Sequence, residues 1–129
     1  MFRKEEELKV IHMEKCHNGE GALTFVRLFD NGRNDDMLDF KSKHGLLLMH
    51  KYILPPGVSI GEHGHRDDEE IYYLIEGECI MIMDGEHIPM GKGDISVLQS
   101  GHSHGIINSG SHDAVLLVVG AKKELYEEV

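Results

Sequence analysis

The sequence predicts an all-β domain. Three observations carry that expectation: its apolar stretches are short, they recur at close intervals, and residues suited to tight turns separate them. In chain order the candidate strands are residues 9–13, 22–29, 46–54, 70–75, 78–83, 87–90, 95–98, 104–108 and 114–119. Few of them are long enough to be helices. The punctuation is Asn18-Gly19, Asn31-Gly32, Pro55-Pro56-Gly57, Asp84-Gly85, Gly91-Lys92-Gly93-Asp94 and Ser109-Gly110, residues that tolerate positive or fixed φ. Asp84-Gly85 is the best hairpin signal, because a two-residue type I′ turn needs φ > 0 at both central positions. Charge-rich ends flank the strands, and residues 122–128 could form one or two helical turns.

The 129 residues suggest one domain, 1–129, able to bury a modest core without staples. Lysine and arginine total 13 against 23 acidic residues, a net charge of −10. Such a field repels phosphate backbones and acidic lipid, so neither nucleic acid nor membrane is an expected partner. Cys16 and Cys79 are the only cysteines, and no basic-then-apolar leader follows Met1. A reducing, cytoplasmic setting is the expectation. No apolar run approaches the length of a membrane-spanning helix.

The chemistry concentrates between Gly57 and Asn108. His63 and His65 flank Gly64, and on an extended strand two such side chains point the same way, so both imidazoles can reach one ion. Glu69 and Glu70 follow, heading the apolar run Ile71 to Ile75. A carboxylate at the head of a buried strand is costly unless it is paired or bound to a metal. Further on, Gly101-His102-Ser103-His104 precedes another strand and offers a third imidazole.

This arrangement resembles the two signature motifs of the cupin superfamily. Motif one, residues 57–77, matches at Gly57, His63, His65, Glu70 and Gly77; motif two, residues 93–108, matches at Gly93, Gly101, His104 and Asn108. Gln99 stands where the pattern has proline, a departure that touches a turn and not a ligand. The resemblance implies a double-stranded β-helix, or jelly-roll barrel, with His63, His65, Glu70 and His104 as metal ligands inside it. Glu70 keeps the motif's offset from Gly77 and Glu69 faces away by alternation; His104 keeps the offset from Asn108, with His102 as its competitor. Three imidazoles and a carboxylate without thiolate suit one divalent transition metal ion: Mn, Fe, Co, Ni or Zn. Two coordination positions would remain for water or a chelating ligand.

Other residues have competing readings. Tyr72 shares the face of Glu70 and could donate a hydrogen bond in the cavity, and His50 could carry a proton; these are the catalytic candidates, each weighed against a plain core role. Met81 and Met83 read as lining of the barrel. His12, Cys16 and His17 could form a second metal site, but their place beside Asn18-Gly19 reads as a surface turn. Cys79 reads as a small buried side chain, and Arg27 and Arg33 as solvated or as partners for an anion. The polar connection 30–44, with Met37, Leu38 and Phe40, suggests a segment folded over the barrel mouth.

Two function classes follow from the resemblance. One is a metal-dependent enzyme acting on a small oxygen-rich molecule, a hydroxy or keto acid or a sugar, by isomerase, decarboxylase or dioxygenase chemistry. The other is a small-molecule (sugar) binding cupin with an organising metal. The first strands must hide their edges, and cupins often do so by pairing N-terminal strands across a homodimer; Leu23, Phe25 and Leu28 are expected in that interface or the adjoining core.

Overall fold

The computed structural model describes residues 1–31 and 45–122. Arg33, the apolar residues Met37, Leu38 and Phe40 of the suggested mouth segment, and the C-terminal turns beyond Lys122 lie outside the described residues.

Among the described residues ten strands form: β1 Val10–Glu14, β2 Ala22–Asp30, β3 Leu46–Leu54, β4 Ser59–Gly64, β5 Asp68–Glu76, β6 Glu78–Met83, β7 Glu86–Gly91, β8 Ile95–Leu98, β9 Ser103–Asn108 and β10 Ala114–Lys122. They build two antiparallel sheets, one in the order β1-β2-β3-β10-β5-β8 and one in the order β4-β9-β6-β7. This is the jelly-roll, double-stranded β-helix architecture. Alternation decides what each strand buries: β5 turns Glu70, Tyr72 and Leu74 inward, and β10 turns Ala114, Leu116, Val118 and Gly120 inward. Between the sheets, Leu54, Leu74, Ile106 and Leu116 lose all exposure. Burying each such side chain contributes about 1.5–3 kcal/mol. Leu23 and Phe25, 1% and 3% exposed, belong to this core and not to an interface, whereas Leu28 is half-buried.

Strand positions follow the apolar rhythm with one exception. β4 is absent from the nine candidates because Ser59, Gly61, Glu62 and Gly64 break any period-two apolar pattern. Its pairing with β9 supplies what its own composition lacks. The hairpin at Asp84-Gly85 forms with φ of 49° and 78°, and Met83 lies opposite Glu86. Asn108 ties the end of β9 to its surroundings: its amide nitrogen donates to the carbonyls of Leu54 and His112, both at 2.8 Å.

The Asn18-Gly19 region is not a free surface turn. Cys16–Asn18 makes a 3-10 turn packed on β4, and Lys15, His17 and Asn18 all hold positive φ of 50°, 49° and 61°. For three non-glycine residues this is unusual backbone, retained only where surrounding contacts hold it. Those contacts come from two glycines. A Cβ on Gly19 would run into the carbonyl oxygen of Ser59, and one on Gly61 into that of His17. Gly61→Ala is therefore expected to lower stability by about 1–3 kcal/mol. A denaturant titration checks this, and an unchanged midpoint would show that the turn yields freely.

Candidate metal centre

His63 on β4 and His104 on β9 are direct cross-strand partners in the smaller sheet. Glu70 reaches them from β5 of the larger sheet, and His65 follows the end of β4. One ligand atom from each of the four residues lies within 4.8 Å of the others. The Nε2 atoms of His104 and His65 stand 3.1 and 3.2 Å from Glu70 Oε1. His104 has no exposure and Glu70 has 8%.

The outer nitrogens determine what the inner ones can do. His63 Nδ1 donates to the Gly61 carbonyl at 2.7 Å, and His65 Nδ1 donates to Asp68 Oδ1 at 2.9 Å. When deprotonated, each ring turns its Nε2 lone pair toward the cluster, the orientation that metal-ligating histidines take from such outer partners. Buried Nδ1 of His104 lacks a hydrogen-bond partner, and buried Nε2 of His65 faces the Glu70 carboxylate. Lone pairs and a carboxylate gathered out of water need a cation, either protons or a metal ion. The donor set therefore fits a divalent transition metal, with His63, His65, Glu70 and His104 to hold it.

Protonation follows the same geometry. Burial pushes His63 down to about 4, leaving it neutral. The adjacent Glu70 carboxylate lifts His65 to about 9 despite desolvation. Burial acts to raise Glu70, but hydrogen bonds from His104 and His65 outweigh it and hold the group at about 2.

His102 lies at the surface, its Nδ1 2.7 Å from Asp84 Oδ2, and takes no part in the cluster. Glu69 sits on the opposite face of β5 from Glu70. Tyr72 is buried, its ring centroid 4.3 Å from that of His104. His50 projects from the inner face of β3, with Nε2 3.0 Å from Asp30 Oδ2 and Nδ1 3.4 Å from the Tyr52 hydroxyl. Met81 is core and Met83 packs against it. Burial pushes the Cys79 thiol up to about 11, so it is no nucleophile at neutral pH.

His12, Cys16 and His17 do not converge on a second site. His12 is exposed on β1 while Cys16 is buried. His17 instead stacks on His63, with centroids 3.6 Å apart and planes within 10°. Sequence reasoning missed this contact, because His17 and His63 are distant in the chain and only the packing of the 3-10 turn on β4 brings them together.

The comparisons agree with this geometry. The cupin-domain family profile matches residues 50–120. This chain belongs to the cupin family. It is 42% identical over 66 residues to the oxalate-binding protein of Thermotoga maritima, across 51% of this chain and 54% of that one. The chain thus spans about half the length of this curated relative. A predicted oxalate decarboxylase of Thermotoga maritima, known as a crystal structure, superposes with a TM-score of 0.81 at 28% identity, covering 95% of this chain and 100% of that one. A sugar phosphate isomerase of Silicibacter pomeroyi shares the fold at a TM-score of 0.68 and 21% identity, over 92% and 73% of the two chains.

Single substitutions test the ligand set of this cupin. His63→Ala and His104→Ala are expected to lose most bound metal in elemental analysis and the thermal stabilisation that metal brings. Glu70→Gln should weaken metal binding, whereas Glu69→Gln should not; equal retention in both would reject the assignment. Metal loading at neutral pH should also release a proton, since His65, near 9, must be deprotonated to offer Nε2. Affinity should then rise with pH toward about 9, read by competition with a chelator; a pH-independent affinity would contradict the role of His65.

Proposed function

We propose that this cupin binds one divalent transition metal ion, among Mn, Fe, Co, Ni and Zn, and uses it to hold a small oxygen-rich acid on which it acts as an enzyme. The carrying observation is the convergence of four ligand atoms within 4.8 Å of one another, from half-buried His63 and His65 and buried Glu70 and His104. When bound, such an ion supplies Lewis acidity to a ligand's carbonyl or carboxylate oxygens. Its charge outweighs that of Glu70, the only acidic ligand, so the site attracts a small anion although the chain carries −10 overall. Oxalate, malonate and α-hydroxy or α-keto acids have the paired oxygens for chelation. Decarboxylation, isomerisation and oxygen chemistry all suit such a centre, and Tyr72 and His50 are its proposed proton-handling residues.

A second reading is a non-catalytic binding protein, favoured by the name of the Thermotoga maritima relative, oxalate-binding protein. The two readings separate on turnover: incubation of the loaded protein with oxalate either releases formate and carbon dioxide or returns oxalate intact. Beneath both lies a common expectation. Calorimetric titration of oxalate, malonate, lactate and pyruvate should give tighter binding to the metal-loaded than to the metal-free protein, with affinity lost in His65→Ala. Equal binding to both forms would sink the chelation reading.

The proposed homodimer finds support on the outer face of the larger sheet. There Ile71, Tyr73, Ile95 and Val97 are 36–60% exposed, and Ile71 lies opposite Val97 as Tyr73 lies opposite Ile95. An apolar sheet face of this kind can pair with its own copy about a two-fold axis, since one patch serves both sides. Sedimentation at micromolar concentration should report a dimer, and Ile95→Lys with Val97→Lys should report a monomer. A wild-type monomer would refute the assembly.

A further inference from the structure

The inner wall of the larger sheet carries a polar constellation that the metal centre does not use. On β2, Leu23, Phe25 and Arg27 alternate inward; the register then shifts between Arg27 and Phe29, and Asp30 turns inward as well. An extra residue of this kind re-aims the side chains that follow it. Here it brings Asp30, 2% exposed, onto His50, 8% exposed, with Oδ2 and Nε2 3.0 Å apart. Arg27 Nε stands 3.7 Å from the same carboxylate oxygen, and the guanidinium lies over the Phe25 ring, 5.3 Å from its centroid. On β3, Tyr52 follows His50 on the inward face, stacks on Phe25 at 5.0 Å and brings its hydroxyl 3.4 Å from His50 Nδ1.

The protons in this chain can be placed. The Asp30 carboxylate only accepts, so His50 Nε2 carries hydrogen and donates to it. In neutral His50 the other nitrogen, Nδ1, is then an acceptor, and the Tyr52 hydroxyl donates to it. Among the described residues the groups facing His50 are Arg27, Asp30 and the Phe25 ring from β2 and Tyr52 from its own strand; β10 contributes Val118 at the paired position. Glu70 and Cys16 also act on Tyr52 through their charges, and burial holds that hydroxyl protonated well above neutral pH.

The constellation shares its sheet face with Glu70. β3 and β5 both pair with β10, and Gly120 stands between Leu48 and Glu70 in the register, contributing no side chain there. Two strand spacings, about 10 Å, separate the β3 and β5 backbones, so inward side chains from the two strands can meet opposite ends of one small molecule. Arg27 and Tyr52 point inward yet remain partly exposed. Buried charge and polar groups of this kind are costly to retain where apolar residues would pack, which a purely structural role does not explain.

Resting on the chelation reading above, we propose that Arg27 and Tyr52, backed by His50 and Asp30, form a distal carboxylate subsite, so that the preferred ligand is an α-hydroxy or α-keto acid bearing a second carboxylate. The arriving carboxylate accepts a hydrogen bond from the Tyr52 hydroxyl and faces the Arg27 guanidinium. His50 Nδ1, no longer receiving a hydrogen bond from Tyr52, takes up one proton from solvent and donates it back to the Tyr52 oxygen. The imidazolium so formed stays paired with Asp30. Binding of the distal carboxylate is thereby linked to uptake of one proton by His50.

The test is calorimetry on the cobalt-loaded protein with lactate, malate and 2-hydroxyglutarate, which share one chelating end and differ in the distal carboxylate. Malate or 2-hydroxyglutarate is expected to bind about tenfold or more tightly than lactate, the scale of a charge-assisted pair. In Tyr52→Phe, which keeps the ring on Phe25, that ratio should fall toward one. Repeating the titration in buffers of different ionisation enthalpy should show proton uptake for the diacid in the wild type and none in His50→Gln. Metal content measured on each variant excludes those that have not folded. Metal-dependent lactate binding with no gain from a second carboxylate, or a ratio unchanged in Tyr52→Phe, overturns the subsite and leaves chelation standing. If none of the three acids binds the loaded protein, the chelation reading fails and the subsite falls with it.

Discussion

Glu70 and three imidazoles gather at one place, Glu70 and His104 buried and His63 and His65 half-buried, with the carboxylate against two imidazole nitrogens. A carboxylate and imidazole lone pairs cannot be brought out of water together unless protons or a metal ion come between them. Everything around the cluster answers that constraint. Two sheets must face each other so that Glu70 can meet His63 and His104, and the spacing of packed sheets, about 10 Å, is what side chains of this length can span. Outer hydrogen bonds from His63 to the Gly61 carbonyl and from His65 to Asp68 then fix which nitrogen of each ring faces inward.

The same constraint explains the strained backbone beside the centre. His63 is covered on one face by the ring of His17, and that stacking requires the 3-10 turn to lie hard against β4. Only Gly19 and Gly61, without Cβ atoms, let the two backbones approach so closely. Three residues in left-handed conformation carry the local cost, of order 1–3 kcal/mol each, and the packing of the turn offsets it. Rigid support of the His63 ring is thus built from glycines on one side and strain on the other.

The His/Glu cluster and a polar wall on the larger sheet make the barrel asymmetric inside. The smaller sheet brings two imidazoles, whereas the larger brings Glu70 on β5 and the Asp30, His50 and Tyr52 chain on β2 and β3. Met81, Ile106 and Leu116 belong to the apolar core between the sheets. That division of labour suits a molecule with one chelating end and one end read by hydrogen bonds.

What the sequence determined by itself was the strand rhythm and the four clustered residues. Both rest on local rules: alternation with period two, turn residues at their required positions, and spacings within two short motifs. Asp84-Gly85 could be read because the turn's dihedral demands fall on those two residues alone. Tertiary structure decided the rest. β4 lacks an apolar period, so only its pairing with β9 makes it a strand. His102 and His104 share a face by alternation, and burial separated them, sending one to Asp84 at the surface and the other to Glu70. His17 over His63, and Asp30 against His50, join residues far apart in the chain through a packed turn and a register shift. No local spacing encodes such contacts, because they depend on how two backbones approach and not on how one strand alternates.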